Sequence, residues 1–131
     1  MKAYNLMLRE ARSSLDGECT LPQFDVLAHL SREERGLTLA DLSRRLLVTA
    51  GNVTGLIDRM ERSGWVKRVP DAEDRRVTRV QLTKSGKAVA AKLIPQHSSD
   101  IEKLFGILSE SEKTQLRQLL DKLILGMEHR P

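Results

Sequence analysis

The sequence predicts a mainly helical domain carrying one small antiparallel β-hairpin. Three observations lead there. Residues 38 to 82 read as two short helices followed at once by a basic hairpin. Both ends of the chain repeat apolar residues at spacings of three and four, the period of a helix with one buried face. Aromatic residues make up only 3% of the 131 positions, so aliphatic side chains must supply the core.

The elements follow in order. Tyr4, Met7, Leu8, Ala11 and Leu15 fall on one stripe of a first helix, which Asp16-Gly17-Glu18 ends. Thr20 and Gln23 have the spacing of a capping box. The second helix that they open is expected to bury Phe24, Leu27, Ala28 and Leu30. Charged residues Ser31 to Gly36 form a connector, and Leu37 to Leu39 suit a very short strand. Thr38 to Leu46 reads as a third helix. Thr49 opens a fourth, Ala50 to Ser63, which Gly64 closes. Trp65 to Val69 and Val77 to Leu82 are the hairpin strands. Thr83 to Gly86 starts a helix whose pattern continues through Ile101 and Leu108, with Pro95 predicting a kink or break near Ile94. Ser109 and Glu112 form another capping box, and Leu116, Leu119, Leu120, Leu123, Ile124 and Met127 mark the last helix.

Net charge is +4, but its distribution says more. Residues 1–43 hold five basic and seven acidic side chains, residues 44–87 eleven and five, and residues 88–131 six of each. The positive excess sits on the two-helix unit and hairpin, as phosphate binding requires, because each neutralised phosphate releases condensed counterions. No apolar run approaches the roughly 20 residues that span a bilayer, and no signal peptide is apparent, so a cytoplasmic location is expected. Cys19 is the one cysteine, which excludes an intramolecular disulfide or a cysteine-based zinc site. His29, His97 and His129 are scattered, without metal-ligand spacing, phosphate-binding glycines or a nucleophile elbow. The reading is therefore of a protein that is not an enzyme, with no catalytic residues, metal or cofactor.

On the fourth helix Val53, Leu56, Ile57 and Met60 recur at i, i+3, i+4 and i+7, facing Leu39, Leu42 and Leu46. The opposite face presents Ala50, Gly51, Asn52, Thr54, Gly55, Asp58, Arg59 and Arg62. Its first turn is small and polar, so base edges can approach closely. Asn52 suits adenine, and Thr54 suits a thymine methyl or a hydrogen bond. Thr49 caps the helix, whose N-terminus attracts a phosphate, and Arg59 suits a phosphate or a surface ion pair. In the hairpin, Asp74 stands two residues before Arg76 and is placed to hold its guanidinium extended, a form that fits a narrow minor groove. Arg75 and Arg79 are further candidates, with hairpin-internal salt bridges as the competing role.

The terminal helices leave apolar stripes with no evident partner within one chain, and such patches usually mark an interface. One reading helix also touches few base pairs, whereas a two-fold pair imposes a palindromic site with half-sites about one helical turn apart. A homodimer joined through the first and the last two helices is expected.

Taken together, Val53-Thr54-Gly55-Leu56-Ile57-Asp58-Arg59-Met60-Glu61, Gly64-Trp65-Val66-Lys67-Arg68, Asp74-Arg75-Arg76 and Val80-Gln81-Leu82-Thr83-Lys84-Ser85-Gly86 resemble the MarR (multiple antibiotic resistance regulator) family. The similarity covers essentially the whole chain, including Leu21 to Leu30 and Leu108-Ser109. It implies a winged helix-turn-helix over residues 19–86, with dimerisation helices in 1–18 and 87–131, all within one domain spanning 1–131. It further implies a transcriptional repressor of double-stranded DNA, released from a palindromic operator by a small phenolic or anionic ligand, with Arg76 in the minor groove. Family pockets lie between the dimer helices and the DNA-reading lobe, which makes Tyr4, Arg9, Arg12 and His29 the candidate ligand residues. Gly51 and Gly55 replace larger residues, so the operator sequence does not transfer, and many members have a longer N-terminal extension. The peroxide-sensing branch carries its cysteine within the first helix, whereas Cys19 falls in a connector and reads as inert. The alternative function is a winged helix used for protein–protein contact without specific DNA binding.

Overall fold

Among the residues that the computed structural model describes, 1–15, 17–46 and 50–130, six α-helices and three strands follow the expected order. They are α1 (Lys2–Leu15), α2 (Leu21–Leu30), β1 (Leu37–Thr38), α3 (Leu39–Arg45), α4 (Ala50–Arg62), β2 (Val66–Pro70), β3 (Thr78–Leu82), α5 (Lys84–Leu104) and α6 (Glu110–Glu128). Contacts divide the chain into two units, Met1–Ser98 and Ser99–Pro131.

In the first unit, capping chemistry sets the helix starts. Thr20 Oγ1 accepts from the Gln23 amide at 3.3 Å while Gln23 Oε1 accepts from the Thr20 amide at 3.0 Å. Thr38 and Asp41 repeat the box at 3.0 and 3.2 Å, so Thr38 both ends β1 and caps α3. These bonds hold the Asp41 carboxyl below the usual carboxylate range, the Thr38 amide being the leading cause. Gly64, at φ +78°, ends α4. The Trp65 amide donates to the Met60 carbonyl and the Gly64 amide to that of Glu61, the two bonds of a Schellman turn.

The sheet is antiparallel with order β1-β3-β2. Leu37 faces Val80 across β1–β3, while Val66 faces Leu82 and Arg68 faces Val80 across β2–β3. Val26, Leu27 and Leu30 of α2, Leu42 of α3, Val53, Leu56, Ile57 and Met60 of α4, and Val66, Val80 and Leu82 of the sheet form one aliphatic core. The α4 stripe predicted to face inward does so in full. On α2 the expectation needs correcting: Val26 is buried, whereas Phe24 and Ala28 are only half-buried. Phe24 packs instead on the His97 ring, with centroids 4.4 Å apart.

Pro95 does not break α5, which runs unbroken from Lys84 to Leu104. Proline removes one amide donor, here the partner of the Ala91 carbonyl; both residues are exposed, so water can serve that carbonyl. The helix stops only at the 3-10 turn Phe105–Ile107, earlier than the apolar pattern through Leu108 suggested.

In the second unit, Ser109 and Glu112 close their capping box at 3.1 and 2.9 Å. No residue of α6 is buried. Leu119, Leu120, Leu123, Ile124, Leu125 and Met127 remain exposed.

Candidate nucleic-acid interface

Burying Val53, Leu56, Ile57 and Met60 turns the rest of α4 outward. Gly51, Asn52, Thr54, Asp58, Arg59 and Arg62 are exposed, and Gly55 is half-exposed. A Cβ added at Gly51 would meet nothing within 4 Å, and one at Gly55 would meet only Arg59 Nη1 at 3.7 Å. No described residue crowds the helix at Gly51 or Gly55, which leaves these positions open to a flat or grooved partner. Thr49 lies outside the described residues, and Ala50 is the first residue of α4. Arg59 and Arg62 form no ion pair with a described residue.

The hairpin loop is built around two aspartates. Asp71 Oδ2 accepts from the amides of Glu73 at 3.1 Å and Asp74 at 3.0 Å, and Asp71 Oδ1 accepts from Arg79 Nε. Arg79 Nη1 also donates to the Gly36 carbonyl at 3.2 Å, tying the loop to the residue just before β1. Asp74 then takes the amide, Nε and Nη2 of Arg76 at 3.1, 3.1 and 3.2 Å. The Arg76 side chain is nevertheless 91% exposed, so Asp74 fixes the guanidinium without hiding it. Arg79 holds the Asp71 carboxyl below the usual range, and Arg76 does the same for Asp74. Of the four predicted wing residues, Asp74 and Arg76 thus form a displayed pair. Arg75 is exposed, and Arg79 is committed to Asp71 and Gly36 with a side chain only 29% exposed.

The candidate ligand residues separate. Tyr4 and Arg12 line a cavity of about 490 Å³ together with Phe24, Asp25 and His97. Arg9 pairs with Glu10 at 3.9 Å and lies outside it; His29 sits 3.4 Å from Asp25 and is likewise not a wall. Burial raises the Asp25 carboxyl above its ordinary value, opposed by His29. His97, whose Nδ1 lies 3.1 Å from Ser14 Oγ, was not singled out from the sequence, since nothing local links position 97 to the first helix. Cys19 is half-buried, and burial followed by Glu18 raises its thiol pKa, the opposite of an activated thiol. No described helix is long and apolar enough to cross a membrane, and no metal-holding cluster occurs among the described residues.

One residue to which the sequence assigned no role of its own joins hairpin and helix. Arg68, at the middle of β2, donates through Nη2 to Asp58 Oδ1 at 2.7 Å and through Nη1 to Glu61 Oε1 at 2.8 Å. Asp58 is the leading cause that raises the Arg68 pKa.

Comparison with known proteins gives this geometry relatives. Residues 19–77 match the model of the MarR family. The chain is 36% identical over 128 residues to the transcriptional activatory protein BadR of Rhodopseudomonas palustris, covering 95% of this chain and 73% of that one. The matched stretches span 54% to 73% of the lengths of the curated regulators it resembles, 62% for the first of them. Among solved structures, the Staphylococcus aureus MepR–DNA complex superposes with a TM-score of 0.83 at 27% identity, covering 95% of this chain and 93% of that one. A Bordetella bronchiseptica BpsR structure, described as showing regulation of DNA binding by 6-hydroxynicotinic acid, gives 0.81 at 25%, covering 99% and 90%.

Proposed function

The chain belongs to the MarR family, whose characterised relatives are transcriptional regulators rather than enzymes, and on that premise we propose that it is a sequence-specific reader of double-stranded DNA that acts as a cytoplasmic homodimer. The observation that carries the reading is the pairing of an open, small-residue face on α4 with an arginine displayed beside it by Asp74. In this reading α4 enters the major groove with Asn52 and Thr54 at base edges and Gly51 and Gly55 allowing close approach. Arg76 enters the flanking minor groove, where narrow width concentrates negative potential. Arg59 and Arg75 take phosphates, and Arg79 braces the loop rather than touching DNA. The superposition on a DNA-bound relative supports this placement.

The exposed apolar residues of α6 and of α1, where Tyr4, Leu6 and Met7 lie outward, supply the surface for a second copy. The cavity at Tyr4, Arg12 and His97 is the proposed effector site. A guanidinium, an imidazole and aromatic rings suit a small aromatic acid, the chemistry that the BpsR structure names for that protein. Binding there would shift α1 against α2 and release a palindromic operator, giving repression.

Competition binding tests the reading. Duplexes from the chain's own promoter region should outcompete scrambled duplexes at least tenfold, with two chains per duplex by sedimentation. Asn52→Ala should erase much of that preference, since a bidentate base contact is worth about 1–3 kcal/mol. Equal affinity for all duplexes would favour the alternative, a winged helix that contacts protein.

A further inference from the structure

A helix that faces DNA should not carry free carboxylates, yet α4 carries two. Asp58 follows Gly51 by seven residues and Thr54 by four, so it stands in the same row as the proposed base-reading positions. Glu61 lies one turn further on, toward the hairpin. Left free, both would repel phosphates along the surface meant to receive them. Arg68 reaches back from β2 and gives one terminal nitrogen to each, at 2.7 and 2.8 Å. Its side chain is 26% exposed, against 51% for Asp58 and 43% for Glu61, so the guanidinium is the least exposed member of the cluster, while Arg59 and Arg62 are exposed and outside it. Only a planar fork serves two acceptors in fixed directions; an ammonium is a point charge on a flexible stem.

We infer that Arg68 is a positioning residue of the DNA-facing surface, masking the two α4 carboxylates and tying the hairpin to the reading helix. The inference rests on the DNA-reading proposal and adds to it a residue that touches no DNA. The mask makes the charges interdependent, and that interdependence is measurable. Asp58→Asn with Glu61→Gln should change duplex affinity less than about threefold in the otherwise native chain, because Arg68 already engages both carboxylates and offsets one of their two charges. Arg68→Met alone should weaken binding about tenfold, and adding the same two substitutions to it should recover most of the loss.

Equal gains from the carboxylate substitutions in both backgrounds would show simple additive charge and overturn the inference. If Arg68→Met fails to fold by circular dichroism, the native background still decides: a large gain from Asp58→Asn with Glu61→Gln contradicts masking, and a small one supports it. If the native chain binds no duplex at all, the DNA reading falls separately. The native chain and the same three variants eluted from heparin then decide the mask, unequal shifts in eluting salt keeping it and equal shifts removing it.

Discussion

Arg76 illustrates how a loop can present a long side chain without burying it. Free in solution, an arginine samples many rotamers and gives up that freedom on binding. Here Asp74 holds the backbone amide and two guanidinium nitrogens, so much of that ordering precedes contact. Arg76→Ala should therefore weaken duplex binding about tenfold or more, the scale of a lost charge-assisted contact, without changing the circular dichroism spectrum. Asp74→Asn keeps the arginine but loosens it, and should weaken binding by less, in an anisotropy titration. Unchanged affinity in both would remove the hairpin from DNA contact. The carboxyls of Asp71 and Asp74 are both held below their ordinary value by their arginine partners. Their support of the loop is thus complete above the unfolded aspartate pKa of about 3.9 and is lost as pH falls through the lower folded values. Carbon-detected NMR should find both carboxyls titrating below that of Asp25, which burial raises. Asp74 titrating with or above Asp25 would contradict the pairing.

At the scale of elements, two glycines have opposite roles that the sequence alone does not separate. A Cβ at Gly86 would lie 1.9 Å from the Trp65 carbonyl oxygen, because the first turn of α5 lies against the start of the hairpin. Gly86→Ala should destabilise by about 1–3 kcal/mol in urea denaturation, as overpacking does. Gly55→Ala meets nearly open space in mid-helix and should stabilise by about 0.5–1 kcal/mol while weakening DNA binding. The reverse pattern would mean that the α4 face is not the one kept open. Local chemistry was legible in the sequence: the capping boxes at Thr20 and Ser109, the inward stripe of α4 and the Asp74–Arg76 pair come from short local spacings, whereas the third box, Thr38 with Asp41, went unread. What escaped depends on distant partners. Arg68 reaches carboxylates seven and ten residues earlier across a helix-to-strand corner, and His97 joins a cavity formed by the first two helices. Of the kink or break expected at Pro95, the break does not occur, because its cost depends on whether the orphaned carbonyl meets water, and here the residues concerned are exposed.

For the molecule as a whole, the charge map and the apolar map divide the labour. The middle third of the chain carries eleven basic against five acidic residues, and all five acids are paired with arginines: Asp58 and Glu61 with Arg68, Asp71 with Arg79, Glu73 with Arg35, and Asp74 with Arg76. What remains outward is strongly cationic. In the proposed reading, the exposed aliphatic residues of α6 receive another copy of the chain. Two copies would double the few base contacts that one α4 can make. The account is tested most directly by the salt dependence of affinity for the preferred duplex. It predicts a straight line of log affinity against log salt, with a slope of about −0.9 for every phosphate neutralised, made shallower by Arg76→Ala in both subunits. A flat response, or a slope that Arg76→Ala leaves untouched, would contradict it.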